Sequence, residues 1–273
     1  RNHRATRPIR CLTLTYQKTR CDVGFFILGQ KMLNDSLLAL ANLLTSALTA
    51  ITGVGGGMIL IGLMPFFVPA AAIVPVHGVT QLVSNATRAW FGRDALDFTY
   101  FWQFLAGSLT GLLVFGVLVR FIHLELIPLF IGIYILLITW SSAFNRVIRR
   151  FESFFLVGFA QTGLGVFVGT PGPLNIAMLN KYYDDNNVVV TTGALMMTVV
   201  HTAKLIVYVA MGFVFADYWQ LLVMMVIMAT VGSWLGTRLR HKIRLDWLEK
   251  ILPYLLTLIA LKLIVDIARH YFF

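Results

Sequence analysis

Charged residues along this chain fall in clusters, and the stretches between them are long. Positions 36–87, 153–180 and 218–237 hold no Asp, Glu, Lys or Arg. A membrane-crossing helix needs roughly 20 apolar residues, so the first stretch alone has room for two. Apolar segments run over 33–51 (continuing past a glycine break through 58–68), 72–92, 98–119 and 125–143. The second set covers 153–168 (continuing past another break to 180), 188–211, 217–236 and 250–268. The pattern predicts an all-α polytopic membrane protein of about eight transmembrane helices, with bilayer rather than water as its main solvent. The short connections leave no room for an extramembrane catalytic domain.

Composition agrees. Hydrophobic residues make up 58% of the 273 positions and charged residues 12%, against about 45–50% and 25% in soluble domains. The net charge of +10 could suggest nucleic acid. However, the basic residues flank apolar segments, as positive-inside anchoring expects, so no nucleic-acid partner is expected. Cys11 and Cys21 both precede the first span, which leaves no disulfide framework and no thiolate metal site; no cofactor is expected. Residues 1–31 read as a basic extramembrane extension, and Met32 opens MLNDSLLALANLL as a natural start. With the N-terminus inside, the basic 145–152 loop falls inside and the acidic KYYDDNN loop at 181–187 outside. The 237–250 loop, with five basic residues, then falls outside, against the charge rule.

The halves repeat. An offset of 116 puts Gly53 on Gly169, Gly56 on Gly172, Asn85 on His201 and Arg88 on Lys204. Further along, FWQ at 101–103 faces YWQ at 218–220, and Pro128 opens its span much as Pro253 does. The expected organisation is a first transmembrane repeat over 32–144, a basic loop over 145–152 and a second repeat over 153–273, each repeat beginning with a broken helix. Internal duplication is a recurring plan of secondary transporters, whose sites lie at the repeat interface.

Both breaks have a physical cause. In TGVGGGMILIGLMP, Gly53, Gly55, Gly56 and Gly57 remove side chains from one turn, and each interior glycine costs a helix about 1 kcal/mol. In GTPGPLN, Pro171 and Pro173 lack amide hydrogens and clash one turn back. Broken helices survive in a membrane where protein or a water-filled cavity surrounds them, and a half-helix starting at such a gap presents N–H groups that favour anions. Close helix packing is the alternative use of GVGGG; two prolines do not serve packing.

Arg88 and Lys204 are the central candidates. Burying either costs several kcal/mol unless it is compensated or snorkels, and neither has an acid one turn away. A mobile anion is a natural partner, gripped by two parallel hydrogen bonds from Arg88 and by the point charge of Lys204. His201 lies on the same helical face as Lys204. His77, Asn85, Gly55, Gly56, Gly57, Thr170, Gly172 and Asn175 complete the candidate substrate site. Lys262 and Asp266, at i and i+4, read as a structural pair.

TGVGGGMILIGLMP followed by VPVHGVTQLVSNATRAWFG resembles the sulfite exporter TauE/SafE family, over residues 36–268. The resemblance implies a multi-pass permease of the bacterial inner membrane. It also implies substrates that are small sulfur oxyanions or organosulfonates, such as sulfite, thiosulfate and sulfoacetate. The second repeat departs from the family pattern at GTPGP and at GALMMTVVHTAK, 193–204, which leaves the cargo open. The expected function is a secondary carrier for a small anion, working by alternating access between the repeats and driven by coupled protons or the membrane potential. No GxxxxGK loop is present for ATP. An anion channel and an intramembrane enzyme are the alternatives; the second lacks paired carboxylates, HExxH and GxSxG.

Overall fold

A computed structural model describes residues 9–149, 152–170, 174–240, 242 and 246–272, and among these there is no strand. The first five helices are α1 (Ile9–Thr52), α2 (Gly56–Leu63), α3 (Ala70–Phe91), α4 (Phe101–Leu118) and α5 (Ile127–Trp140). A short α6 (Ser142–Arg149) leads into α7 (Phe154–Phe167), α8 (Leu174–Leu179), α9 (Asn186–Ala210), α10 (Trp219–Leu239) and α11 (Asp246–Phe272). Five segments are long and apolar enough to cross a membrane: Gly29–Thr52, Phe101–Phe121, Asn186–Ala210, Phe215–Leu239 and Lys250–Arg269. Gly56–Phe66, Ile127–Trp140 and Phe154–Phe167 are apolar but shorter. The 22-residue α3 has the length but carries buried His77, Thr80, Gln81, Ser84, Asn85 and Arg88. The burial pattern is that of a bilayer protein: Leu113 is 74% exposed and Phe121 78%, while Arg88 is 2% and Lys204 0%. The chain is therefore a polytopic helical membrane protein.

Local chemistry sets the helix ends. Asp185 caps α9 by accepting from the Asn187 N–H at 2.8 Å. At the other end of α9, Gly212 takes φ +85, and its N–H donates to Val209 O while that of Phe213 donates to Tyr208 O. This is a Schellman closure, which needs the left-handed conformation only glycine takes freely.

The two glycine breaks reverse the chain rather than bend it. A side chain at Gly56 would run into Thr45 O and the Thr49 hydroxyl, and Phe67, Val68 and Pro69 share a cleft with Gln30, Lys31, Asn34 and Asp35. So α2 runs back along α1. Likewise the Gln161 amide donates to Asn175 Oδ1 at 3.3 Å. Those residues would lie about 20 Å apart in a straight helix, so α8 folds back on α7. The expectation that each span continues past its break is corrected here: the reversal follows from Gly53 at φ +83 and Gly169 at φ +80, a turn that a helix cannot absorb.

Direct backbone contact joins the long helices. Side chains on Gly232 and Gly236 of α10 would run into Leu43 O and Ala47 O of α1. Gly107 of α4 and Gly158 of α7 likewise face Phe155 O and Phe104 O. Small residues permit such approach where no hydrophobic force separates helix from lipid. The α1–α10 pair is parallel, with Asn42 Nδ2 donating to Met225 O at 2.7 Å and Arg240 Nε to Ala50 O at 2.7 Å. The α4–α7 pair is parallel too. By contrast α3 and α9 are antiparallel, Gly92 lying on Thr191 and Gly78 on Lys204. So are α5 and α11, joined by Trp140 Nε1 donating to Thr257 Oγ1 at 2.6 Å.

Candidate anion site

The antiparallel contact of α3 with α9 runs through the centre of the bundle, and both breaks close on it. Between them lies a cavity of about 60 Å³. At the ~10–15 Å³ one water requires, it holds a few waters or one small oxyanion. Thr49, Gly53, Val54, Gly55, Gly57 and Met58 line it from the first break. His77, Gln81, Asn85 and Arg88 line it from α3; Thr170, Asn175 and Ile176 from the second break; Gly193, Ala194, Met197 and His201 from α9.

Arg88 is held rather than floating. Its Nη1 donates to Thr49 O at 3.1 Å and its Nη2 to Asn85 Oδ1 at 2.8 Å, while Asn85 Nδ2 donates to Gln81 O at 2.7 Å. The guanidinium thus caps the C-terminal end of α1, where the helix dipole favours a cation. Its Nε is buried with no partner among the described residues. Arg88 therefore does not snorkel to the interface, although Arg93 lies one turn on.

Lys204 occupies the corresponding place in the second half and uses the same device. Its Nζ donates to Gly169 O at 2.9 Å, the carbonyl of the left-handed residue that ends α7. It also lies 3.3 Å from His77 Nδ1, and His77 Nε2 lies 3.0 Å from Gly57 O. A carbonyl can only accept, so Nε2 carries the imidazole proton and Nδ1 accepts from the ammonium. A single chain of hydrogen bonds thereby connects the second break to the first. Among the described residues no carboxylate pairs with Arg88 or Lys204.

Of the residues expected from sequence, Arg88, His201, His77, Asn85, Gly55, Gly57, Thr170 and Asn175 meet at the cavity. Lys204 stands behind its wall, bonded to backbone and to His77. Gly56 packs on α1 instead of facing the cavity. Gly172 lies outside the described residues. His201 sits edge-on to His77 at 6.0 Å between ring centroids, and its Nδ1 is buried with no partner. Asn175 donates to Gly193 O at 2.9 Å. Gln81, Met58 and Met197 line the cavity without having been singled out; the helical spacing of Gln81 from His77 and Asn85 was the available signal. Arg240, which bonds the last turn of α1, has no local sequence signal, because its partner is 190 positions away. Among the described residues no three His, Cys, Asp or Glu side chains gather as a metal would need.

Arg88, whose Nε is buried without a partner, the two histidines and the glycine turn before α2 line one cavity, a candidate site for an anion. The family model described as "Sulfite exporter TauE/SafE" matches residues 38–263. The chain belongs to the sulfite exporter TauE/SafE family. As a member it is a multi-pass permease of the cell membrane, a transporter of sulfur-related anions. No curated protein and no solved structure matches the chain.

Proposed function

We propose that this permease is a secondary carrier that moves a small sulfur oxyanion or organosulfonate by alternating access around the α3–α9 cavity, between two inverted repeats, and that it is not an enzyme. The single observation that carries this reading is a small cavity, lined from both halves and by Arg88, whose Nε is buried with no partner among the described residues. The repeat is supported by the matching left-handed glycines at 53 and 169. It is supported also by the pairing of helices. Exchanging the halves turns α1–α10 into α7–α4 and leaves α3–α9 and α5–α11 as themselves. On this reading each half has five legs, the second and seventh of the ten being the re-entrant α2 and α8.

In this proposal Arg88, His201, Asn85, Thr170, Asn175 and the α2 turn at Gly55 and Gly57 contact the anion, while Lys204 and His77 hold the two breaks in register. A carrier rather than a channel is favoured by what lies beyond His77. One turn toward the start of α3, Ile73 and Val74 pack with Ile61, all fully buried, so the cavity is closed toward the start of α3. The test is counterflow in proteoliposomes: internal unlabelled thiosulfate should drive transient accumulation of labelled thiosulfate. Flux without counterflow would indicate a channel, and chemical conversion without a gradient an enzyme.

A further inference from the structure

The last turn of α1 carries two guanidinium groups on neighbouring carbonyls. Arg88 donates to Thr49 O at 3.1 Å, and Arg240, just past the end of α10, donates through Nε to Ala50 O at 2.7 Å. Arg88 lines the cavity and belongs to the site already described. Arg240 stands beyond it. The α1–α10 pair does not need Arg240 for close approach, since Gly232 and Gly236 already bring those backbones together. Its Nη1 instead lies 3.5 Å from Asn187 Oδ1, in the first turn of α9. The Asp185 carboxylate, which caps that turn, acts on the guanidinium as well. About one turn further into α9, Val190 is buried against Gly53: a side chain on Gly53 would meet Val190 at 2.9 Å and Ile176 at 3.9 Å. Gly53 and Ile176 line the cavity, so this contact is its wall toward the Arg240 end.

The two ends of the cavity are thus closed by different chemistry. Toward the start of α3 the closure is an apolar layer, in which Ile73, Val74 and Ile61 are fully buried. Toward the Arg240 end it is Val190 and Ile176 on a glycine, fastened by a charged side chain that bonds α1 and reaches α9 from α10. We infer that Arg240 is the latch of a gate at this end: it holds the α1–α10 pair against the first turn of α9, and the carrier opens its cavity there by releasing that hold. The chemistry suits a contact that is made and broken in every cycle. A polar contact at the end of the bundle can exchange its partner for water at small net cost. Parting the apolar layer at the other end exposes buried methyl groups instead. Gly53 fits the same role, because without a side chain it lets Val190 seat directly on the backbone that follows α1.

This inference rests on the carrier reading, and its test separates the two. In the full chain, with its two cysteines Cys11 and Cys21 changed to serine, Asn187→Cys and Arg240→Cys are introduced together and joined by a short bifunctional thiol reagent. In proteoliposomes the cross-linked protein should lose counterflow of labelled thiosulfate, and a reductant that cleaves the link should restore it in the same vesicles. A second measurement needs neither of those substitutions. Ala194 lines the cavity, and the rate at which Ala194→Cys reacts with a water-soluble maleimide in detergent reports how often the gate opens. Adding Arg240→Gln should speed that reaction about tenfold, the population shift expected when a charge-assisted hydrogen bond is lost. Arg240→Lys, whose ammonium can still reach Ala50 O, should change it less. Counterflow that survives complete cross-linking would overturn the latch and leave the carrier reading intact. So would an unchanged labelling rate in an Arg240→Gln protein that melts near wild type. Absence of counterflow in both the reduced protein and wild type would overturn both.

Discussion

Lys204 Nζ and His77 Nδ1 lie 3.3 Å apart across the centre of the bundle, and through them the carbonyls of Gly169 and Gly57 are joined. Both side chains are essentially unexposed. An ammonium buried without a carboxylate is expensive, and here the compensation comes from backbone at the end of a broken helix. That placement makes Lys204 a tie between breaks rather than a wall of the cavity. Replacing it with methionine, which fills the space, removes the ammonium but leaves Gly169 O and His77 Nδ1 buried and unpaired, at about 1–3 kcal/mol each. Lys204→Met should therefore lower the thermal midpoint of the purified protein and weaken anion binding indirectly. Full thermal stability with binding abolished would instead mark Lys204 as a direct ligand.

Arg88 behaves differently because it lines the cavity and its Nε is buried without a partner. Arg88→Lys keeps a charge but loses the planar fork that reaches Thr49 O, Asn85 and an anion together. Binding of the transported anion should fall by about tenfold or more, the ~1.4 kcal/mol or more expected for a lost charge-assisted hydrogen bond. Arg88→Gln should abolish it. Radiolabelled uptake beside a melting curve separates this from misfolding: Arg88→Lys should melt near wild type, since the α1 carbonyl can still be reached by an ammonium. Unchanged uptake in Arg88→Gln would remove Arg88 from the site.

The two break glycines can be tested against a third with the same backbone. Gly53, Gly169 and Gly212 have φ of +83, +80 and +85, so alanine is strained at each, by roughly 1–2 kcal/mol. Their surroundings differ. An added Cβ at Gly212 meets nothing within 4 Å, at Gly53 it meets Val190 at 2.9 Å, and at Gly169 it runs into Ile61. Gly212→Ala should cost the strain alone. Gly53→Ala should cost more, and Gly169→Ala most, because Ile61 is itself fully buried and has nowhere to move. Thermal midpoints should rank in that order; equal losses at all three would mean that the breaks are not tightly packed.

Sequence alone carried the breaks and the cations, because glycine clusters, paired prolines and isolated charges in apolar stretches each have one local physical meaning. It did not carry the reversal of direction at the breaks. Hydrophobic periodicity records which residues avoid water, not whether the next segment runs up or down, so 33–51 and 58–68 read as one interrupted span. Nor did it reveal what Lys204 touches: its partner at Gly169 is a backbone carbonyl, which every residue possesses. The site was legible on α3, where polar residues recur at helical spacing. It was poorly legible on α9, where Met197 looks like ordinary core.

The reversals also remove the conflict in the charge distribution. With α2 and α8 running back, the segments around 141–153 and 237–250 emerge at the same end of the bundle, beside the start of α4 and of α7. There Tyr100 stacks on Phe154 at 4.5 Å, and Arg240 reaches Asn187 at 3.5 Å. Among the described residues that end carries Arg93, Arg146, Arg149, Lys181, Arg238, Arg240, Lys242 and Lys250 in its connections and adjoining helix ends. The opposite end, after Gly29, carries Lys31, Arg120 and, at the end of α11, Arg269. By the positive-inside rule the Arg240 end is expected to be cytoplasmic, the reverse of the sequence expectation that put the N-terminus inside and the 181–187 loop outside. The basic residues of 1–31 are left out of this count, and the test is made in a chain beginning at Met32. In such a chain, Lys242→Cys should be shielded from an impermeant maleimide in intact cells, and Asp217→Cys should be labelled; the reverse pattern would invert the orientation. Because the cavity is lined by the last turn of α1, by α3 from His77 to Arg88 and by α9 from Gly193 to His201, and is closed toward the start of α3, it would open toward the Arg240 end. It would be poised to load an anion for export, which an inside-negative potential favours by about 2.3 kcal/mol per charge per 100 mV.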